Sequence, residues 1–375
     1  MAQGLYVHVP FCKSICNYCD FYRVVDLSLV GGYLEALQKE CENISEKKSI
    51  STIYIGGGTP SSIGINNLEK LLEILHQQFD LNSVEEFTVE CNPEDVTDDM
   101  LSILKNHGVN RISLGVQSLD DHVLKFMKRR HKAKKVNSVV EKIYTHGIYN
   151  TSVDLIYGLP QEANYNLLED LHRFIDLGVE HISAYSLTYE ENSIFNKKLQ
   201  IGQLTQKDDD KVFSEYETVI DLMKLSGYEH YEISNFARPG KQSKHNNSYW
   251  KRIPYYGLGP SACSFVGNKR QRNMPDVEKY MVGTLTGFGY EPEIENLTEI
   301  DVYNELVMLG LRTKNGINIK EINSLGNNYA EYFIKNIEPF LIDHSVVKSE
   351  DSFIIDERKW FICDLITSSL FITQH

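Results

Sequence analysis

The sequence contains no run of about 18 consecutive apolar residues. Its first twelve residues also lack a charged segment followed by a long apolar one. These absences argue against a membrane-spanning helix and a secretory leader, so we expect a soluble, cytoplasmic protein with no transmembrane segment. There is no low-complexity segment, and no internal repeat beyond the strand–helix alternation described below.

Positive charge is scarce relative to negative charge. The 375 residues include 38 Lys and Arg against 52 Asp and Glu, which gives a formal net charge of −14. A chain of this charge would repel a phosphate backbone, so we expect no nucleic-acid partner. The one strongly basic stretch, residues 125–135, is interpreted as a solvated helix end rather than a nucleic-acid patch.

Cysteine is too unevenly distributed for a disulfide framework. The chain has seven cysteines, an odd number, and three of them lie within eight positions of one another. The others are scattered at Cys41, Cys91, Cys263 and Cys363. In a reducing cytosol, this pattern predicts metal binding rather than disulfide bonds.

The chain is ordinary in composition and long enough for one large unit and a smaller one. Short β-branched runs alternate with amphipathic segments through the first two-thirds, which predicts repeated βα units. The predicted strands are Leu5–Val9, Thr52–Ile55, Glu86–Cys91, Arg111–Gly115, Ser152–Tyr157 and His181–Ser186. The predicted helices are Gly32–Ser45, Leu68–Phe79, Thr97–Asn106, Lys135–Thr145, Asn166–Leu177 and Lys207–Ser226. Six units predict an α/β fold built on a partial (β/α)6 barrel, with the site at the carboxyl ends of the strands.

Three regions are expected along the chain. The barrel should span residues 1–228. Residues 229–290, rich in Gly, Pro, Asn and aromatics, should be irregular and lie over the barrel mouth. Residues 291–375 should form a small, mainly helical, winged-helix-like domain, because two helical patterns precede an alternating stretch. These segments are Ile300–Leu311, Tyr329–Ile337 and Phe340–Ile355.

A loop directly after the first predicted strand carries Cys12, Cys16 and Cys19. Three thiolates in one short loop suit a [4Fe-4S] cluster, and they leave one iron without a protein ligand. A structural zinc site would need a fourth Cys or His at matched spacing. Only His8 precedes the loop closely, so zinc remains a minor alternative.

The CxxxCxxC triplet resembles the radical S-adenosylmethionine (SAM) superfamily, and matches at later strand ends extend the resemblance over nearly the whole chain. Residues 56–60 resemble its glycine-rich SAM motif, with Gly57, Gly58 and Thr59 at the centre. Glycine permits close approach of the backbone to a ligand, since no Cβ intervenes. A P-loop is excluded because no Gly-Lys-Ser/Thr follows, whereas a plain tight turn remains the simple alternative.

The resemblance implies further SAM-binding positions. Glu90 matches the acidic contact to SAM, and Asp154 is placed to hydrogen-bond the ribose. Arg129 matches the residue that pairs with the methionine carboxylate, with Arg130 as a neighbouring competitor. The remaining matches to cofactor-binding positions are Tyr6, Tyr18 and Gln117. Taken singly, each of these residues would pass as an ordinary strand-end or core residue.

The order of motifs resembles the oxygen-independent coproporphyrinogen oxidase group, which contains decarboxylating oxidases and HemW-type haem chaperones. The oxidases generally carry a fourth cysteine where this chain has Phe21, and an extension before the first strand. Residues 245–250 match the HNxxYW motif associated with haem binding in the chaperone branch, and the resemblance implies that His245 ligates haem iron. The alternative interpretation is a hydrogen-bonded loop with Trp250 buried.

Residues 257–262 imitate a dinucleotide fingerprint, but Pro260 and the lack of a following βαβ unit favour a loop. Cys263 stands where relatives commonly have His, which puts that histidine's role in doubt here.

The leading hypothesis is a HemW-like chaperone that binds haem, a [4Fe-4S] cluster and SAM, delivers haem to a haem-requiring protein, and forms a homodimer. The alternatives are a coproporphyrinogen III oxidase and a fold that has lost its cluster.

Overall fold

A computed structural model describes residues 3–44, 48–289 and 291–373. Its strands are β1 (Gln3–Val9), β2 (Ile50–Gly57), β3 (Glu86–Cys91), β4 (Arg111–Gln117), β5 (Asn150–Tyr157), β6 (His181–Ser186), β7 (Glu229–Glu232), β8 (Asn235–Ala237), β9 (Tyr255–Leu258), β10 (Cys263–Val266), β11 (Lys269–Arg272), β12 (Glu293–Asn296), β13 (Ile317–Asn318), β14 (Val346–Ser349) and β15 (Ser352–Ile355). Its α-helices are α1 (Val30–Glu42), α2 (Ile65–Gln78), α3 (Asp98–Asn106), α4 (Asp121–Phe126), α5 (Val136–Thr145), α6 (Leu167–Asp176), α7 (Ile194–Gln200), α8 (Asp209–Leu225), α9 (Lys244–Trp250), α10 (Val277–Thr286), α11 (Glu299–Leu311), α12 (Ile319–Asn323), α13 (Asn327–Ile342) and α14 (Cys363–Ser369).

Strands β1 to β6 pair in parallel in chain order, and at least one helix follows each of them. Strands β1 to β12 form one open sheet whose edges are β12 and β7, so the barrel is partial. The predicted partial (β/α)6 barrel is therefore confirmed. Because all six strands run the same way, their carboxyl ends meet at one end of the sheet.

Alternate residues of each parallel strand lie in two different environments. In β1, Leu5, Val7 and Val9 have no exposed surface and belong to the hydrophobic core shared with the helices. The intervening Tyr6 and His8 are hydrogen-bonded to each other instead. Since successive side chains of a strand point to opposite faces, the polar members of the strands line the barrel interior.

Residues 229–289 are not irregular, contrary to the expectation. They contain β7 to β11 together with α9 and α10, and β9 pairs in parallel with β1. The segment at 245–250 is helix α9, which contacts the first residues of β2 and β3 rather than the barrel mouth. The composition of this region resembles that of a loop, but pairing with distant strands determined its structure.

The C-terminal region is mainly helical, as predicted. Its element order is α11, β13, α12, α13, β14 and β15, and the three strands form one antiparallel sheet, an arrangement consistent with a winged helix. β12 pairs with β11 and so belongs to the large sheet, which leads us to place the domain boundary at Leu297. Helix α13 continues through Phe340 and Leu341, which pack on the core, so the predicted hairpin begins only at Val346.

Some predicted limits fall on residues outside the described ranges. Ser45, the predicted end of the first long helix, and the region limits at 1, 290 and 375 lie outside the described residues. Within the described ranges, no helix combines the length and apolar character needed to cross a membrane.

Candidate functional site

A cavity of about 870 Å³ opens at the carboxyl ends of the parallel strands. This volume lies within the range of small-molecule and cofactor sites. Most residues predicted to bind the cofactors line it, namely Cys12, Cys16, Tyr18, Cys19, Gly57, Gly58, Thr59, Glu90, Gln117, Arg129 and Asp154. Tyr6 and His245, which were also predicted to bind cofactors, are not part of this lining.

The cysteine loop is closed and anchored by backbone hydrogen bonds. The N–H of Cys12 donates to the carbonyl of Val24 at 2.9 Å, and the N–H of Val24 donates to the carbonyl of Pro10. The N–H of Asn17 donates to the carbonyl of Met127 at 3.1 Å, just beyond α4. The loop is thus held at both ends and at its middle, with its three thiols on the cavity wall.

All three thiols of the loop line the cavity, where the thiolates of a cuboidal cluster would bind separate irons. No three His, Cys, Asp or Glu side chains in the described ranges are grouped closely enough to hold one ion. Burial raises the pKa of Cys12 to about 11, and also raises that of Cys19, so cluster binding must displace their protons.

His8 does not complete a zinc site. Its Nε2 lies 3.1 Å from the carbonyl oxygen of Tyr22. Since a carbonyl oxygen can only accept a hydrogen bond, Nε2 carries the proton and donates it. Its Nδ1 therefore accepts the hydroxyl of Tyr6 at 3.0 Å. With both ring nitrogens engaged, His8 is unavailable as the fourth ligand of the zinc alternative, and Tyr6 serves to orient it.

The glycine-rich turn holds the end of β2 against the cysteine loop. Gly57 has φ +108°, and a Cβ on Gly58 would lie 2.8 Å from the carbonyl oxygen of Phe11. Thr59 donates its N–H to the same oxygen at 2.8 Å. Glycine is thus required by the neighbouring backbone, and the turn leaves Gly57 and Gly58 on the cavity surface.

Two carboxyl groups with raised pKa values face the cavity. Burial raises the pKa of Glu90 to about 7 and that of Asp154 to about 6, and the charge of Asp154 adds to the effect on Glu90. Glu90 Oε1 accepts the hydroxyl of Tyr54 at 2.7 Å, and its Oε2 accepts the N–H of Gly57 at 3.2 Å. A ligand cation placed here would favour the ionised carboxylate.

Arg129 and Arg130 both line the cavity, and Arg129 joins the cysteine loop to its wall by direct contact with a cysteine. Its Nη1 donates to Cys16 Sγ at 3.4 Å and its Nη2 to Asn92 Oδ1 at 2.6 Å. Arg130 instead pairs with Asp95 at 3.1 Å. The basic stretch at 125–135 is therefore more than a solvated helix end, because it supplies residues to the cavity.

Gln117 has the left-handed conformation, φ +70°, and is 8% exposed. A side chain other than glycine in this conformation is uncommon and is enriched at functional sites. Gln117 ends β4 on the cavity wall, and its role in SAM binding stays a prediction.

Two residues of the cavity, Arg111 and Tyr54, were not predicted from the sequence to belong to the site. Arg111 is 2% exposed, and its Nε has no hydrogen-bond partner among the described residues. Tyr54 donates to Glu90 and stacks on His245, with ring centroids 5.3 Å apart. Arg111 and Ser113 are two positions apart on β4, so their side chains share a face, and both line the cavity. This spacing could have identified Arg111 from the sequence.

His245 lies at the opposite, amino end of the barrel. It has no exposed surface, its Nδ1 is 2.9 Å from Thr52 Oγ1, and its Nε2 is 2.8 Å from the hydroxyl of Tyr249. Glu86 accepts the N–H of Lys244 and of His245, which fixes the first turn of α9. In this arrangement the imidazole is enclosed by protein groups, which differs from the expected axial ligand of haem. The alternative, a hydrogen-bonded loop with Trp250 buried, is wrong in its details, because the segment is helix α9 and Trp250 is half-buried.

Two protein-family models match this chain. The radical SAM superfamily model matches residues 6–175, and the HemN C-terminal domain model matches residues 297–359. A protein named heme chaperone HemW from Lactococcus lactis is 38% identical, over 85% of this chain and 84% of that protein. Its namesake from Bacillus subtilis is also 38% identical, over 85% of both chains.

A solved structure of coproporphyrinogen III oxidase (HemN) from Escherichia coli superimposes with a TM-score of 0.84. It is 22% identical, and the match covers 99% of this chain and 90% of that one. At this identity the likeness supports the fold and does not by itself assign the reaction.

Proposed function

Because the chain belongs to the HemW family of the radical SAM superfamily, we propose that it is a haem chaperone that carries a [4Fe-4S] cluster with SAM and passes haem to a haem-requiring protein. The similarity to two heme chaperones over 85% of the chain carries this proposal. The cavity supports it, because the cysteine loop and most of the residues matched to SAM binding line one space.

Each part of the cavity has a role in the proposal. Cys12, Cys16 and Cys19 would hold the cluster, which would supply an iron for SAM and, when reduced, an electron. Glu90 would accept a hydrogen bond from the ammonium group of SAM beside the backbone of Gly57. The other residues proposed to contact SAM are Tyr18, Gly58, Thr59, Gln117, Arg129 and Asp154.

The role proposed for His245 follows from its surroundings. Two hydrogen bonds and the stacked ring of Tyr54 hold it at the closed, amino end of the barrel, called the barrel floor below. It therefore serves to fix α9, and ligates haem only if that helix leaves the barrel. Tyr249, the next aromatic residue of the motif, lines a second, outward-facing cleft instead.

The oxidase alternative retains one supporting observation, the likeness of the whole fold to the Escherichia coli oxidase. Phe21, which is 69% exposed, stands where oxidases generally carry the fourth cysteine. An anaerobic assay with coproporphyrinogen III and a reductant separates the two functions. We expect no protoporphyrinogen, whereas its formation at a catalytic rate would favour the oxidase.

Hemin titration of the anaerobically reconstituted protein, with and without SAM, tests the chaperone function. We expect a saturable Soret shift and transfer of the bound haem to an apo-haem protein. A Soret band unchanged by the protein would contradict the proposal. Cytoplasmic location, a recipient protein and a homodimer are further parts of the proposal, and sedimentation of the protein with and without its cluster tests the last.

A further inference from the structure

The basic segment 125–135 lies directly against the cysteine loop. Its Phe126 accepts the side-chain N–H of Asn17 on the backbone carbonyl at 2.7 Å. Its Arg129 donates to Cys16 Sγ at 3.4 Å. The charge that this segment carries is therefore presented beside the proposed cluster and not on a remote surface.

This segment holds a surplus of positive charge. Residues 125–135 contain seven Lys and Arg and no Asp or Glu, on a chain whose net charge is −14. Both arginines are engaged, Arg129 with Cys16 and Arg130 with Glu94 at 2.8 Å. The five lysines, called the lysine band below, are exposed, and none of them forms an ion pair within the described part of the chain. The band consists of Lys125, Lys128, Lys132, Lys134 and Lys135.

The nearby carboxylates do not neutralise the lysine band. Asp95 is engaged by Arg130 at 3.1 Å and by Lys13 at 2.7 Å. Asp20 and Asp121 are exposed, and Asp121 accepts a backbone N–H of the basic segment at 2.8 Å. Even if both of these faced the band, two carboxylates would stand against five lysines. The band therefore stays net positive.

Lys128 occupies a position that favours glycine. It follows the C-cap of α4 with φ +62°, and a left-handed residue after a helix is usually glycine. The chain thus accepts a conformational cost to place a lysine on the cavity wall. Phe21 lines the same cavity and is 69% exposed. An exposed aromatic side chain with charges around it is typical of a surface that contacts another protein.

The kind of partner is indicated by what this surface adjoins. Cys16 and Cys19 are partly exposed, so a cluster held by them could be reached from outside by an electron. Proteins that transfer electrons meet through small contacts and are steered together by opposite charge. We infer that the lysine band docks an acidic protein that carries one electron to the cluster. The carrier loses the electron that the cluster gains, while no bond forms and no proton moves. The inference rests on the proposed function, which supplies the cluster, and adds the partner and its surface.

Electron transfer from a reduced acidic flavodoxin to the full-length reconstituted protein tests the inference, with the absorbance of the flavodoxin semiquinone as readout. The triple variant replaces three lysines of the band, as Lys125→Gln, Lys128→Gln and Lys132→Gln. It should be reduced about tenfold more slowly at low salt, because electrostatic steering is lost. Added salt should slow the wild type toward the rate of the triple variant.

The matched control removes the same charge at three exposed lysines outside the band that form no ion pair among the described residues, as Lys70→Gln, Lys251→Gln and Lys335→Gln. It should be reduced at the wild-type rate. Binding of oxidised flavodoxin to the oxidised protein, in which no electron passes, gives a second readout. Its affinity should fall about tenfold in the triple variant and stay unchanged in the control.

Reduced methyl viologen separates docking from the cluster itself. This small cation needs no docking surface, so it should reduce the wild type and both triple variants at similar rates. Equal flavodoxin rates and affinities in the wild type and the lysine-band variant would overturn the docking surface and leave the proposed function standing. Binding of the wild type to phosphatidylglycerol vesicles in place of flavodoxin would do the same. A wild type without a cluster that methyl viologen reduces would overturn both.

Discussion

The two ends of the parallel barrel differ in how their polar groups are satisfied. At the carboxyl end, Glu90 and Asp154 face an open cavity with raised pKa values. At the amino end, His245 is fully buried, and burial lowers its pKa to about 3, so it is neutral. Its ring nitrogens are both hydrogen-bonded within the protein. The open end is thus built for ligands, whereas the closed end is built for stability.

The difference teaches that a motif associated with a ligand need not be the part that touches it. The HNxxYW segment presents His245 to the barrel floor and Tyr249 to an outer cleft. The helix is held by Glu86, a residue 159 positions away in the sequence. Four substitutions distinguish ligand binding at the open end from support at the closed end.

Cys16→Ala should abolish the cluster and leave the fold intact. Two remaining thiolates cannot hold the cluster securely, and the anchored backbone of the loop does not depend on this sulfur. The visible iron–sulfur absorbance after anaerobic reconstitution is the measurement, with circular dichroism for folding. Cys263→Ala, at a partly buried cysteine outside the loop, is the control and should retain the full absorbance.

His245→Ala should lower the free energy of unfolding by about 2–4 kcal/mol, because it removes two buried hydrogen bonds and leaves a cavity beside Tyr54. Urea denaturation of the cluster-free protein measures this. His122→Ala, at an exposed position of α4, should change stability by less than about 0.5 kcal/mol. Equal stability of the two variants would contradict the role of His245 in stabilising the barrel floor.

Glu90→Gln should weaken SAM binding about tenfold or more at pH 8, since it removes an acceptor for the ammonium group. Glu90 is protonated below about pH 7, so wild-type affinity should rise as pH increases from 6 to 8 and then level off. The groups that set this titration include Tyr54, Arg111 and Asp154.

Isothermal titration with SAM on the reconstituted protein gives both the affinity and its pH dependence. The Glu90→Gln variant should lose the rise between pH 6 and 8. Glu190→Gln, which removes an exposed carboxylate from the same cavity lining, should keep it. A parallel pH profile in the two variants would contradict the assignment of Glu90.

Tyr54→Phe should have the smallest effect, a loss of SAM affinity of about fivefold, equivalent to one hydrogen bond of about 1 kcal/mol. The hydroxyl no longer donates to Glu90, but the ring still stacks on His245, so stability should change little. Tyr157→Phe alters another tyrosine of the cavity lining and should leave affinity unchanged. A large loss of stability in Tyr54→Phe would show that the hydroxyl supports the floor instead.

The sequence was most informative where the signals are local. The cysteine loop, the glycine-rich turn and the strand residues Glu90 and Asp154 are each recognisable within a few positions, and the structure brings them to one cavity. The surroundings of His245 were not predictable in this way, because its partner Thr52 lies 193 positions away. Likewise β9 pairs with β1, and no local sequence pattern predicted this pairing.

The central claim is that Cys12, Cys16 and Cys19 hold a cluster whose open iron faces the SAM cavity. Iron and sulfide analysis of the anaerobically reconstituted protein, followed by electron paramagnetic resonance of the reduced form with and without SAM, tests it most directly. We predict about four irons and four sulfides per chain and a spectrum that changes when SAM is added. A folded chain that takes up only zinc, or a cluster whose spectrum ignores SAM, would contradict it.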